Sequence, residues 1–380
     1  MIPLQQEGLA PAYGEMEYGF VCLSLCSRQH HPHLASARQA GEYREASMQL
    51  RKHLSTYRDP LKGFAILWVC LFHAKLGLEH IPFIGSLQKI GYMGVDIFLL
   101  LSGMGLAHSL AKAPSAGHYL QRRAVRLLPA FLPVCILWCL HMIPALKLTG
   151  WPAVHTILGN LTMTGYLAGS PYMLNWYLTL LLVTILLAPV VFFLLKGTKK
   201  PYLICSLLLM AAFACAIPMI GRVQMMLFSR LPIFILGMGL QMIKPKKMIQ
   251  ALSCALCWLG VIAGSFLLWL GFARYPDAQI AYGLYWYPAF LMIPGLCSGL
   301  SWFMDKLTKL GWQMPFLTLL GKSSFEIFLF NAWFELYCKR VLNATEPLVY
   351  LGWMLLSIAL GLLWHWLVTV FMKQRKNADL

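Results

Sequence analysis

Charge is scarce in this chain. Asp, Glu, Lys and Arg make up 12% of its 380 residues, where soluble domains carry about 25%. Acidic residues are the scarcest: 14 Asp and Glu stand against 31 Lys and Arg. That balance excludes an ordinary soluble globular domain. No segment has the basic start, apolar core and small-residue cleavage site of a secretory signal. There is no G-x-S-x-G elbow, no Walker A loop, no G-x-G-x-x-G and no H-E-x-x-H, so serine-type, ATP-driven and zinc-protease mechanisms are unsupported. No internal repeat is evident, so the inverted-repeat signature of many secondary transporters is missing too.

What is present is apolar. Hydrophobic residues make up 59% of the chain and the mean hydropathy is +0.65. This predicts an all-α integral membrane bundle. Spans are expected at about 61–79, 90–111, 127–146, 174–195, 201–220, 226–243, 249–271, 281–303, 316–338 and 348–370, which makes ten. A shorter run, 154–168, is broken by Gly159 and Gly165 and flanked by Pro152 and Pro171, and reads as a re-entrant or surface helix.

Basic residues test the count. With a cytoplasmic N-terminus, inside loops hold Arg51, Lys52 and Arg58, then Lys112, Arg122, Arg123 and Arg126, then Lys196, Lys199 and Lys200. Lys244, Lys246 and Lys247, then Lys306 and Lys309, then Lys373, Arg375 and Lys376 continue the series. Outside segments hold only Lys75, Lys89, Lys147, Arg222, Arg274, Lys339 and Arg340. The asymmetry predicts that both termini are cytoplasmic. It also absorbs the formal net charge of +17 without nucleic acid, because topology and anionic lipid explain basic loops.

Eleven cysteines lie mostly in apolar segments and behave as small hydrophobes. Cys254 and Cys257 have C-x-x-C spacing but no second ligand pair, and no metal site is expected. Residues 1–50 hold five of the 14 acidic residues, little periodicity and the run His30-His31-Pro32-His33. They read as a disordered or non-native extension preceding a membrane domain at 51–380.

The most informative residue is His73, eleven after Lys62 in a run of apolar residues. On a helix that separation is about 16 Å, roughly half the hydrocarbon thickness. A surface cation is thus tied to a titratable group near mid-depth, which reads as a site. A hydrogen-bonded bundle histidine has the same local signature. Asp96, in Gly94-Val95-Asp96-Ile97-Phe98, follows His73 after a short hairpin. It can either orient the imidazole or cap the second span. Arg123 and Arg126 lie one turn apart on one face and, with Lys62, suit a polyphosphate. Trp176 and Arg230 read singly as structural residues, with Glu326 the exception because a carboxylate inside a span needs a partner; together the three are the candidates for substrate binding. His108, His141, His155 and His365 read as core or interface residues.

Taken in order, these residues resemble the acyltransferase-3 family of polytopic membrane acyltransferases. The shared pattern is Asp59, Lys62 and Gly63 before His73; Gly94 to Gly103; Arg123, Arg126 and Pro129; Trp176; Arg230 to Gly237; and Leu320-Gly321 to Ser324. Asn331 stands where many members carry a second His, and the Glu that some members place after the Trp is missing. The resemblance implies ten helices and transfer of an acyl group, often acetyl, from cytoplasmic acyl-CoA to a hydroxyl of a carbohydrate or lipid-linked glycan. It implies His73 as catalytic base, with Asp96 as the candidate partner, and Lys62, Arg123 and Arg126 on the CoA phosphates. Direct transfer and a covalent acyl-histidine both fit. Acyl-CoA is a donor substrate; no tightly bound cofactor is expected. The expected location is a bacterial plasma membrane. Two rivals stay open: a transporter or flippase for a glycan or small anion, and an inactive relative acting as a membrane partner.

Overall fold

A computed structural model describes residues 51–81, 83–243 and 247–378. Residues 1–50, with the expected extension and its histidine run, lie outside the described residues, as do Lys244 and Lys246. The twelve longer helices are α1 (Arg58–His73), α2 (Gly94–Ala111), α3 (Ala116–Ala145), α4 (Gly150–Leu161), α5 (Trp176–Lys196) and α6 (Pro201–Ala216). They continue as α7 (Leu231–Met242), α8 (Lys247–Arg274), α9 (Tyr287–Lys309), α10 (Pro315–Lys322), α11 (Ser324–Arg340) and α12 (Pro347–Ala378). The described residues contain no strand.

Eight helices among the described residues are long and apolar enough to cross a membrane: α2, α3, α5, α6, α7, α8, α9 and α12, several with a short flanking helix. Their burial separates centre from rim. In α2, 78% of the apolar window is buried, whereas in α8 and α12 only 11% is. Helix α2 is the hub, packed by α1 and α7, while α8 and α12 present side chains such as Trp258, Phe266, Leu363 and Trp366 outward. A helix apolar on all sides belongs in the middle of such a bundle.

The first and ninth expected spans take a different form. Helix α1 has 16 residues and stops at His73, because an extended Ala74 and a left-handed Gly77 (φ 67°) turn the chain away. The ninth expected span is divided at Ser323 into α10 and the 17-residue α11. Lys322 and Ser323, polar residues inside an apolar count, mark that joint. At about 24–26 Å these two helices are shorter than the hydrocarbon core. The run near 154–168 forms the 12-residue α4 and a turn at Gly165–Ala168, in keeping with a re-entrant or surface helix.

Helix α10 crosses α1 at two glycines. A Cβ on Gly63 would lie 2.0 Å from the Leu317 carbonyl oxygen, and one on Gly321 would lie 1.8 Å from that of Asp59. Backbone cannot retreat from such a contact as a flexible side chain can. Gly321→Ala is therefore expected to lower stability by about 1–3 kcal/mol, read as a lower melting temperature in detergent. An unchanged melting temperature would show that the crossing is not tight.

Candidate active site

Helix α1 carries Lys62 near one end and His73 at the other. The His73 ring is held from both sides by α11. Its Nδ1 donates to Asn331 Oδ1 at 2.7 Å, and its Nε2 faces Glu335 Oε2 at 3.5 Å. Asn331 and Glu335 are four residues apart, so one face of α11 supplies both. Glu335 pairs in turn with Lys339, one turn further on. A small cavity of about 10 Å³, the room of about one water, is lined by His73, Asn331, Glu335, Cys70 and Tyr350. His73 and Glu335 side chains are 17% and 20% exposed, so the site is sheltered yet reachable.

The arrangement has a chemical consequence. With its proton on Nδ1, directed at an amide oxygen, His73 presents the Nε2 lone pair. A carboxylate beside that lone pair does not hold it by a hydrogen bond, but it stabilises the imidazolium once Nε2 takes a proton. Glu335 therefore stands where a protonated His73 would find its counterion.

Asp96 does not fill that place. Its Oδ1 lies 3.6 Å from Arg230 Nε, both side chains being almost wholly buried. The expected meeting of Asp96 with His73 is thus corrected: Glu335 is the carboxylate at the imidazole. The N-cap of α2 is Met93, without a side-chain cap, and Asp96 lies in the first turn. The Arg230 guanidinium sits over the rings of Trp176 at 5.0 Å and Trp286 at 5.2 Å, and Arg230 Nη1 donates to the Met226 carbonyl at 3.0 Å. Asn175 starts α5 by accepting from the Tyr177 amide at 2.7 Å, which fixes where Trp176 begins. Trp176 and Arg230 therefore meet each other, but neither lines the small cavity nor the large one that follows.

The large cavity, about 890 Å³, does bring Lys62, Arg123 and Arg126 together. Such a volume suits a sizeable ligand. Arg58, Arg122, Lys322 and Lys373 join them, so seven cations share one cavity whose remaining wall is largely apolar, with Phe98, Leu181 and Ile185. Arg58 is one turn before Lys62 on α1, a signal the sequence held. Arg123 also lies over the Tyr119 ring at 5.5 Å. Like charges gathered this closely repel one another, and a polyanion relieves that repulsion. Glu326 faces the same cavity, and its partner is His365 Nδ1, which donates to Glu326 Oε1 at 3.1 Å. Residues 324–328 of α11 thus face the large cavity and residues 331–338 the small one.

These features belong to a polytopic membrane protein whose helices line an open cation-rich cavity and, further along α1, carry a sheltered histidine. The family model for an acyltransferase domain, acyltransferase-3, matches residues 56–370. The chain belongs to that family and is a membrane acyltransferase, one that transfers groups other than aminoacyl groups. No curated protein and no solved structure matches the chain.

Proposed function

We propose that this chain is an O-acyltransferase that moves an acyl group, acetyl in the simplest case, from cytoplasmic acyl-CoA to a hydroxyl of a carbohydrate or lipid-linked glycan. The observation that carries the reading is the shared cavity of Lys62, Arg123 and Arg126, set at one end of the helix that bears His73 at the other. The three cations hold the phosphates of CoA, and the acyl end runs along α1 and α11 toward His73. His73 Nε2 takes the proton of the acceptor hydroxyl as its oxygen attacks the thioester carbonyl. The tetrahedral intermediate collapses, the C–S bond breaks, and the CoA thiolate recovers a proton from the imidazolium. Asn331 holds the tautomer and Glu335 balances the transient charge. Ten membrane-embedded segments, both termini in the cytoplasm and residence in a bacterial plasma membrane complete the reading. The basic loops support the orientation, since it puts the cation-lined cavity on the side where acyl-CoA is made.

CoA binding to the purified protein in detergent tests the donor assignment. Each of Lys62→Ala, Arg123→Ala and Arg126→Ala is expected to weaken binding by about tenfold, the worth of a charge-assisted contact. Binding by the wild type should also weaken between about 0.05 and 0.5 M salt as screening shortens. Absence of binding, or binding indifferent to all three substitutions and to salt, would remove CoA as the donor.

A further inference from the structure

The large cavity contains a second carboxylate–imidazole pair that the transfer chemistry above does not use. Glu326 is 6% exposed and its Oε1 accepts from His365 Nδ1 at 3.1 Å, while its Oε2 is buried with no hydrogen-bond partner among the described residues. Seven Lys and Arg line the same cavity, yet among the described residues the ion pair of Glu326 is with His365 and with none of them. A buried carboxylate with one unsatisfied oxygen is costly, and a fold keeps such a group where it is used. Its effect here is to hold the His365 proton on Nδ1. The His365 side chain, 28% exposed, then offers Nε2 as a hydrogen-bond acceptor in the cavity.

Position indicates what it accepts from. Lys373 lies eight residues beyond His365 on α12, about 12 Å along the helix. Phe328, Val368 and Met372 line the cavity on the same two helices as the pair, with the hydroxyls of Ser324 and Thr369 beside them. The ligand this suits has anionic groups at the cations and, about 12 Å along α12 from Lys373, an N–H donor on an uncharged arm. A plain alkyl phosphate has no such donor. No serine or threonine hydroxyl among the described residues hydrogen-bonds His365, so the pair is not activating a nucleophile of this chain.

We propose that His365 Nε2 accepts a hydrogen bond from an amide N–H of the donor's pantetheine arm, with Glu326 as the positioning residue that sets the His365 tautomer. This rests on the acyl-CoA reading and adds to it the residues that tell an amide-bearing arm from a simple lipid phosphate.

Two probes separate the ideas: CoA, and adenosine 3′,5′-bisphosphate, which keeps phosphates but lacks the arm. His365→Ala and Glu326→Ala are each expected to weaken CoA binding by about tenfold. Adenosine 3′,5′-bisphosphate should bind His365→Ala as it binds the wild type, and Glu326→Ala no more weakly, since the lost carboxylate repels its phosphates; this also reports an intact fold. Should an alanine variant fail to fold, His365→Gln and Glu326→Gln take its place, with a smaller loss of about threefold, since a carbonyl acceptor remains. In turnover, KM for acyl-CoA should rise with kcat held. Equal weakening of both probes, no weakening of either, or a fall in kcat at constant KM would overturn the proposal. A wild type that binds neither probe would overturn the donor reading, and this inference with it.

Discussion

Replacing His73 by alanine is expected to leave a protein that inserts, purifies and binds CoA, but whose acyl transfer falls by roughly 10²–10⁴-fold. The expectation follows from what the residue touches. His73 ends α1, so truncating it removes no interior turn of helix, and its ring borders a cavity of only about 10 Å³. The Lys62, Arg123 and Arg126 side chains that would hold CoA line a different cavity. Binding and chemistry should therefore separate in this one variant. Its neighbours sharpen the test. Glu335→Gln removes the counterion but leaves the base, and should cost less than His73→Ala. Asn331→Ala frees the Nδ1 proton and should fall between the two. CoA release measured with wild type and variant side by side decides it: turnover by His73→Ala near the wild-type level would assign the chemistry elsewhere.

Much of this was legible in the sequence, and the parts that were not share a cause. Lys62 and His73 lie on one helix as their spacing requires, because a helical rise is local information. The same holds for the Arg123 and Arg126 pair on α3. The motif glycines were legible as a pattern, but their purpose appears only in the packing. Gly63 and Gly321 let α10 lie on α1, and Gly103 and Gly237 do the same for α2 and α7. What local spacing could not show was partner choice between helices far apart in the chain. A short hairpin brings Asp96 close to His73 in sequence, yet its partner is Arg230, at the N-cap of α7. His73 is served by Asn331 and Glu335, more than 250 residues later. Glu335 had a readable signal, one turn after Asn331 on the same face, but only once Asn331 was known to face His73. Nothing in the local sequence of His365 marks Glu326, 39 residues earlier, as its partner.

Asp96→Asn is expected to cost about 3–5 kcal/mol of stability, because it leaves the Arg230 charge buried and uncompensated. Arg230 is 2% exposed and held between Trp176 and Trp286, so its guanidinium has no path to water. The pair also joins three helices: Asp96 on α2, Trp176 at the start of α5, and Arg230 at the start of α7. Restoring charge balance should restore stability. With Arg230→Met added, a long apolar side chain occupies the space between the two indoles, and the double variant should recover most of the loss. The cycle of melting temperatures in detergent for wild type, both single variants and the double variant measures this directly. Strictly additive losses would mean that Asp96 and Arg230 do not sense each other. A double variant that regains its fold and also transfers acyl groups would assign the pair to architecture. One that regains its fold but stays inactive would give Arg230 a part in handling substrate, the role its sequence context suggested, and would place the acceptor's path beside Trp176.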